Sequence, residues 1–133
     1  MRPSKRQYLM RVALLTAERS TCSRLQVGAV LADTSLETFV IGYNGSYKGG
    51  PNKCRGDVKT PGGCGCVHAE VNAVAKAGRG RKILFVTYAP CLVCATLLVN
   101  ADVREVYYNQ LYRSEDGISL LKEAGIGVFE CPA

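Results

Sequence analysis

Two short segments most strongly constrain the fold and function of this chain, because their side chains together form the ligand set of one metal ion. The segments are HAE, which begins at His68, and PCLVC, which begins at Pro90. One imidazole and two thiolates are the three protein ligands of a catalytic zinc site whose fourth position is left for water. We therefore expect the fold to bring His68, Cys91 and Cys94 to one zinc ion. Glu70 is expected to lie beside the bound water.

The spacing within each segment predicts how these side chains are presented. Cys91 and Cys94 are three positions apart, so both sulfurs point the same way from the first turn of a helix. A helix N-terminus also favours thiolates, because it carries partial positive charge. His68 and Glu70 diverge by roughly 200° around a helix axis. This divergence favours His68 as the zinc ligand and Glu70 as the general acid/base.

The combined pattern H-x-E and P-C-x-x-C is also the signature of zinc-dependent base deaminases. In that chemistry zinc lowers the pKa of its water towards ~7, and the carboxylate takes the water proton before hydroxide attacks the ring. A closed structural site would need a fourth ligand, and His68 is the only histidine in the chain. The sequence therefore favours catalytic zinc over structural zinc here.

The other cysteines suggest a second metal site. The chain has seven cysteines, and an odd number argues against a fully paired disulfide framework. Four of them can supply the thiolates of a closed structural zinc site: Cys22, Cys54, Cys64 and Cys66. Such a site would order the irregular segment 44–65, and the alternative is a set of free, partly buried thiols. Cys131 is expected to be a free thiol.

Hydrophobic periodicity predicts one domain, residues 1–133, built from alternating helices and strands. Helices are predicted over residues 5–19, 67–76, 91–100 and 114–124, the last of them capped by Ser114. Strands are predicted over residues 26–32, 37–43, 82–88, 104–108 and 126–129. The first two strands form an antiparallel hairpin, whereas the later alternation of strands and helices implies parallel pairing. The expected fold is α/β, with a mixed five-stranded sheet and helices on both faces.

The charge and hydropathy of the chain indicate which classes of ligand it can bind and whether it enters a membrane. The formal net charge of +6 suits an anionic ligand, either a nucleotide or a polynucleotide, although a modest charge also serves solubility. No apolar run reaches the ~18 residues of a membrane span. The basic start of the chain is not followed by the apolar core of a signal peptide. We expect a cytoplasmic protein without a membrane partner.

Several motifs carry a resemblance to a known family. They are CSR at 22–24, VGAV at 27–30, IGYNG at 41–45, HAEVNA at 68–73, Thr87, PCLVCA at 90–95, and VYY at 106–108 with Tyr112. Over nearly its whole length the chain resembles the deoxycytidylate (dCMP) deaminase family of the cytidine deaminase superfamily. The resemblance implies a three-layer cytidine-deaminase-like fold. It also implies hydrolysis of dCMP to dUMP and ammonia, which supplies dUMP for thymidylate synthesis.

The resemblance further implies which residues bind the substrate. Asn44 is expected to hydrogen-bond the sugar or the base, and the backbone of Ala69 to read the pyrimidine edge. Arg24, Tyr112 and Arg113 are the candidates for the 5′-phosphate. An arginine fork suits a phosphate group, and an aromatic ring can flank the sugar or base. Arg113 is equally well explained as a solvated surface charge.

Regulation by nucleotides is also implied by the resemblance. Members of this family are often homohexamers that dCTP activates and dTTP inhibits. The glycine-rich segment that starts at Gly42 resembles the part of the family that carries the effector site. The effector candidates are Gly42, Tyr43, Asn44, Gly45 and Lys48, with Mg²⁺ accompanying a bound effector nucleotide.

Two other functions compete with this interpretation. One is a deaminase that acts on a polynucleotide, such as a tRNA adenosine or a DNA or RNA cytidine deaminase. Single-strand binding uses exposed aromatic side chains in a basic groove, and this chain has no tryptophan, so no stable nucleic-acid partner is expected. The other is a non-catalytic, zinc-stabilised binding module. The presence of Glu70, which has no ligand role, favours an enzyme.

Overall fold

The computed structural model describes residues 1–60 and 62–133 of the chain. The helices are α1 (Lys5–Ala17), α2 (Ala69–Lys76), α3 (Leu92–Asn100) and α4 (Asp116–Glu123). The strands are β1 (Gly28–Asp33), β2 (Phe39–Tyr43), β3 (Lys82–Tyr88), β4 (Val103–Gln110) and β5 (Gly127–Glu130). Each strand and helix that the periodicity predicts is present, although several boundaries differ.

The strands form one sheet in the order β2-β1-β3-β4-β5. Strand β1 pairs antiparallel with both β2 and β3, which includes the predicted hairpin. Strands β3, β4 and β5 are parallel to one another. The mixed five-stranded sheet predicted from the sequence is confirmed, and its parallel half places the end of β3 directly before the PCLVC segment.

Alternate side chains of the central strands enter two separate hydrophobic cores, because successive residues of a strand point to opposite faces. Leu84 and Val86 belong to the core that α2, α3 and α4 cover. Ile83 and Phe85 belong to the core that α1 covers. Helices therefore lie on both faces of the sheet, as predicted.

Two glycines let helices lie directly against the sheet. A Cβ atom at Gly28 would lie 2.0 Å from the carbonyl oxygen of Ala13 in α1. A Cβ atom at Gly42 would lie 2.3 Å from the carbonyl oxygen of Ala69 in α2. The close approach of α2 brings His68 and Glu70 over the end of β2, so Gly42 contributes to the site by packing.

The two ligand-bearing helices begin one or two residues later than predicted. His68 and Cys91 are N-cap residues with extended backbones (ψ 151° and 170°) rather than members of the first helical turn. The backbone carbonyl of each residue accepts the first hydrogen bond of its helix: Asn72 N donates to His68 O, and Ala95 N donates to Cys91 O. The prediction that Cys91 is helical is therefore wrong, because an N-cap residue has non-helical backbone angles.

Side chains that compete for backbone N–H groups shift the start of both hairpin strands. Strand β1 starts at Gly28 instead of residue 26, and the N–H of Val27 donates to the side chain of Asn44. Strand β2 starts at Phe39 instead of residue 37, because Asp33 Oδ1 accepts from the N–H groups of residues 37 and 38. Both shifts follow from tertiary or turn hydrogen bonds that periodicity does not register.

The cap of α4 and the end of α1 also differ slightly from the prediction. The N-cap of α4 is Glu115, while Ser114 Oγ accepts from the N–H of Asp116 at 3.3 Å. Helix α1 ends at Ala17 rather than at residue 19. In the described part of the chain, no helix is both long enough and apolar enough to cross a membrane.

The long segment between β2 and α2 carries no helix or strand in its described residues, 44–60 and 62–68. A single antiparallel bridge joins its two ends. Gly45 N donates to Val67 O at 3.2 Å, and Val67 N donates to Gly45 O at 2.7 Å. The bridge holds the start of α2 beside the end of β2, so the two ends of the loop lie next to each other.

Candidate active site

The three predicted zinc ligands converge at the N-termini of α2 and α3. His68 Nδ1 lies 3.2 Å from Cys94 Sγ and 3.6 Å from Cys91 Sγ. All three ligand atoms lie within 4.8 Å of one another. Bonds of ~2.3 Å to sulfur and ~2.0 Å to nitrogen place tetrahedral ligands ~3.5–3.8 Å apart. The donor set and its spacing therefore fit a zinc ion.

The electrostatics of this group favour a thiolate before any metal arrives. Hydrogen bonds from Cys94 and then from His68 lower the pKa of Cys91 to about 3. The same contact with Cys91 raises the pKa of His68. A separate hydrogen bond with Cys91, together with burial, raises the pKa of Cys94. A metal ligand must be deprotonated, and Cys91 meets that condition at neutral pH.

Glu70 lies in the first turn of α2, beside the group of ligands. Its side chain is 4% exposed and lines the same cavity as His68 and Cys91. Burial raises the pKa of Glu70 to about 7. A carboxyl group with a pKa near neutrality can both accept and donate a proton, as a general acid/base must.

Four of the five predicted substrate residues line this cavity: Arg24, Asn44, Ala69 and Tyr112. The fifth, Arg113, is exposed, and its guanidinium lies 4.6 Å from the ring centroid of Tyr112. Arg113 is not one of the described residues that line the cavity. Arg113 stacks on Tyr112, which does line the cavity.

Arg24 and Tyr112 meet although they are 88 positions apart in the chain. Arg24 Nη2 donates to the Tyr112 hydroxyl at 3.3 Å. This hydrogen bond raises the pKa of Arg24, so the guanidinium stays charged. The pair places a fixed cation at the rim of the cavity, where it can meet an anionic group of a ligand.

Sequence reasoning missed five lining residues, and one of them, Gly62, lies in the loop between β2 and α2. Leu25 and Val27 supply apolar surface from the loop that precedes β1. Tyr88 and Ala89 come from the end of β3. Their position just before the PCLVC segment was the available signal, because the carboxyl end of a strand lies at the same edge of the sheet as the ligands that follow it.

The four other candidate ligands also form a compact group. Cys22 Sγ lies 3.9 Å from Cys64 Sγ and 3.7 Å from Cys54 Sγ, and Cys54 Sγ lies 3.7 Å from Cys66 Sγ. Four sulfurs bound at ~2.3 Å to a tetrahedral zinc lie ~3.8 Å apart. We call this group the cysteine cluster, and its spacing fits a closed zinc site.

The cysteine cluster adjoins the same cavity. Cys22, Cys64 and Cys66 line it, and Arg24 follows Cys22 by two positions. Hydrogen bonds from the side chain and backbone of Ser23 lower the pKa of Cys54 to about 7. Cys131 lies outside both ligand groups as a buried free thiol, as expected.

A second cavity, of about 430 Å³, lies on the other side of residues 43–45. Three of the five predicted effector residues line it, namely Tyr43, Gly45 and Lys48. Asn44 instead lines the first cavity, and Gly42 lies beneath α2. The alternation of a strand end explains this split, since neighbouring residues point to opposite sides.

Known proteins resemble the chain in sequence and in structure. A family model described as the cytidine and deoxycytidylate deaminase zinc-binding region matches residues 3–110. The deoxycytidylate deaminase of Saccharomyces cerevisiae is 38% identical over 96% of this chain and 45% of its own length. That of Mycobacterium phage D29 is 33% identical over 80% of this chain and 95% of its own length.

The fold resembles the crystal structure of dCMP deaminase from the cyanophage S-TIM5 in complex with dCMP and dUMP. The TM-score is 0.86 at 31% identity, over 98% of this chain and 99% of that one. The chain spans less than half the length of its Saccharomyces cerevisiae and Schizosaccharomyces pombe relatives. Both ligand motifs lie within the 3–110 match, and the chain belongs to the family of cytidine and deoxycytidylate deaminases.

Proposed function

We propose that this chain hydrolyses dCMP to dUMP and ammonia, and so supplies dUMP for thymidylate synthesis. The proposal depends on one observation: the three zinc-ligand side chains lie together beside a cavity that His68 and Cys91 line with the buried Glu70 carboxyl and the Arg24 cation. The similarity to a cyanophage enzyme solved with dCMP and dUMP supports a cytosine nucleotide as the substrate. The positive net charge of the chain is consistent with an anionic substrate.

The reaction is a hydrolytic substitution at the ring carbon that bears the amino group. A zinc ion held by His68, Cys91 and Cys94 would supply Lewis acidity and make water nucleophilic at neutral pH. Glu70 takes a proton from the attacking water and delivers it to ring atom N3. It then takes the remaining proton from the hydroxyl added at C4 and delivers it to the amino group, which leaves as ammonia when the C4–N bond breaks and the C4–O bond becomes a carbonyl. A pKa of about 7 suits Glu70 to both tasks.

The remaining lining residues are proposed to orient the nucleotide. The backbone of Ala69 reads the pyrimidine edge, and Asn44 hydrogen-bonds the sugar or the base. Arg24, held by Tyr112, binds the 5′-phosphate, because a guanidinium can donate two parallel hydrogen bonds to phosphate oxygens. Arg113 supports this end of the site by stacking on Tyr112.

Replacing Arg24 with glutamine is expected to raise the KM for dCMP by about ten- to hundredfold, because a charged hydrogen bond contributes ~1.5–3 kcal/mol. The KM for deoxycytidine, which has no phosphate, is expected to stay unchanged. Ammonia release from dCMP, deoxycytidine and CMP measures both effects. Arg11→Gln, an exposed arginine on α1, is the matched control, and Arg113→Gln is expected to have a smaller effect than Arg24→Gln.

The same assay separates the competing substrates. A polynucleotide deaminase would release ammonia from a stem-loop RNA or single-stranded DNA and leave dCMP intact. An equal loss of activity on dCMP and deoxycytidine in Arg24→Gln would contradict phosphate binding by Arg24. A chain that binds zinc and deaminates none of these substrates would support the non-catalytic binding module.

We also propose that the second cavity binds regulatory nucleotides, with dCTP as activator, dTTP as inhibitor, and Mg²⁺ bound with the effector phosphates. Its lining includes three cationic side chains, Arg19, Lys48 and Lys76, which suit a triphosphate. A homohexamer is proposed as the functional assembly. Exposed apolar side chains at the start of α3, Leu92 and Val93, are consistent with burial between subunits.

Lys48→Gln is expected to raise the dCTP concentration that gives half-maximal activation by about tenfold, because one charged phosphate contact is lost. Activity without dCTP should not change. Titration of dCTP and dTTP against dCMP turnover, at fixed Mg²⁺, measures the effect, and light scattering reports the subunit number. Lys122→Gln, on the exposed surface of α4, serves as the control. Unchanged dCTP activation in Lys48→Gln would contradict the assignment of this cavity.

A further inference from the structure

Ser20 is a buried polar residue that the sequence motifs do not include. Its side chain is 7% exposed and lies in the turn that follows α1. Ser20 Oγ donates to Asn44 Oδ1 at 2.6 Å and accepts from the N–H of Cys22 at 3.2 Å. The hydroxyl therefore joins the backbone of the cysteine cluster to a side chain that lines the first cavity.

The hydrogen bonds of Asn44 leave it one group for a ligand. Its Oδ1 accepts from Ser20 Oγ and from the N–H of Val27, at 2.6 and 2.8 Å, which uses both lone pairs of the oxygen. Its Nδ2 donates one hydrogen to the carbonyl of Leu25 at 2.7 Å. The second Nδ2 hydrogen is the remaining polar group that Asn44 can offer to the cavity that it lines.

Ser20 itself is not among the described residues that line either cavity, whereas its neighbours Arg19 and Thr21 line the second one. Its effect on a substrate must therefore pass through the residues that it contacts, of which Asn44 is the one that offers a polar side chain to the cavity. Because Ser20 Oγ accepts from the N–H of Cys22, its own proton is free to be directed at Asn44 Oδ1. A fully occupied Oδ1 prevents the amide from turning its oxygen towards the ligand.

We propose that Ser20 is a positioning residue for the deamination reaction, which locks the Asn44 amide so that it presents a hydrogen-bond donor to an acceptor oxygen of the nucleotide. The proposal rests on the proposed function, since it assumes that the cavity binds the nucleotide. It adds a residue to that function and says which hydrogen-bonding role Asn44 has: Asn44 donates to an acceptor, and Ser20 fixes this orientation together with the backbone of Val27 and Leu25.

Ser20→Ala is expected to raise the KM for dCMP roughly three- to tenfold, the usual range for one hydrogen bond, with kcat changed less than about twofold. Ser20→Thr, which keeps the hydroxyl, is expected to restore the KM. Thr16→Val is the matched control, because it removes another buried hydroxyl of the same region, which donates to Val12 O at 2.7 Å. Thr16→Val should lower the melting temperature without changing the KM.

A double-mutant cycle tests whether Ser20 acts through Asn44. In an Asn44→Ala background, Ser20→Ala is expected to have no further effect on the KM. Effects that multiply independently would overturn the proposal, as would an unchanged KM in Ser20→Ala itself. If Ser20→Ala fails to fold, Ser20→Cys has a similar shape and a weaker donor, and it should raise the KM in the same sense.

A second readout does not depend on turnover. The side-chain amide signals of Asn44 in an NMR spectrum, identified by their loss in Asn44→Ala, are expected to shift and to exchange faster with solvent in Ser20→Ala. Thr16→Val should leave them in place. Unmoved signals would overturn the proposal even if the protein is active. Shifted signals in a protein that does not deaminate dCMP would support the positioning and contradict the proposed function alone.

Discussion

Glu70→Gln is expected to lower kcat for dCMP by about 10²–10⁴-fold, the usual contribution of a general acid/base, while the protein keeps its zinc. Glutamine has nearly the same shape but cannot carry the proton from water to the ring and the leaving amino group. Because Glu70 has no ligand role among the converging side chains, zinc content should not change. Steady-state kinetics and metal analysis on one preparation measure both quantities.

The control for this variant is Glu123→Gln, an exposed carboxylate on α4 whose replacement should leave kcat unchanged. Retained turnover in Glu70→Gln would contradict the acid/base role. Loss of zinc together with turnover would point instead to a ligand role for Glu70.

The pH dependence of folding stability provides an independent test of how the Glu70 carboxyl is buried. Burial raises the pKa of Glu70 from 4.5 to about 7, so the folded state binds a proton more tightly than the unfolded state. The cost of burying the charge is absent below pH 4.5 and grows as the pH rises towards about 7. In chelated, zinc-free protein at pH 8, Glu70→Gln should therefore melt at the same or a higher temperature than the unchanged chain.

Cys54→Ser is expected to remove one of two bound zinc ions per chain and to lower the free energy of unfolding by several kcal/mol. Structural zinc sites contribute about 10–16 kcal/mol of apparent binding free energy in small domains, and one missing thiolate forfeits much of that. Residues 44–60 and 62–68 form no helix or strand, so bonds to a metal in the cysteine cluster would be a main source of their order. Metal analysis, thermal melting and limited proteolysis report the change.

Cys131→Ser is the matched control, because Cys131 is a buried thiol that lies outside both ligand groups. It should keep two zinc ions per chain and resist proteolysis like the unchanged chain. A single zinc ion per chain in the starting protein, unaffected by Cys54→Ser, would establish the alternative of free thiols. The KM for dCMP should also rise in Cys54→Ser, since Cys54 contacts Cys22, which lies two positions before Arg24 and lines the same cavity.

Local patterns predicted more of the fold than of the ligand-binding geometry. The nearly all-apolar run of β3 indicated a buried strand, and the structure confirms this, with neighbours such as Leu84 and Phe85 entering different cores. The helical state of Cys91 was predicted wrongly, because spacing alone does not distinguish an N-cap from a first-turn residue. The starts of β1 and β2 moved because the side chains of Asn44 and Asp33 capture backbone N–H groups.

By itself, the sequence determined the donor atoms of both candidate metal sites, the carboxyl group of Glu70 two positions after His68, and the alternation of helices and strands. These properties depend on residue type and on the spacing of residues close in sequence. The periodicity of a helix or strand then fixes which of these side chains share a face. Only the tertiary structure decided that Arg24 meets Tyr112, that Ser20 holds Asn44, and that residues 43–45 divide two cavities. Those contacts join positions far apart in the chain, so they depend on strand order and register, which bring distant loops to one edge of the sheet.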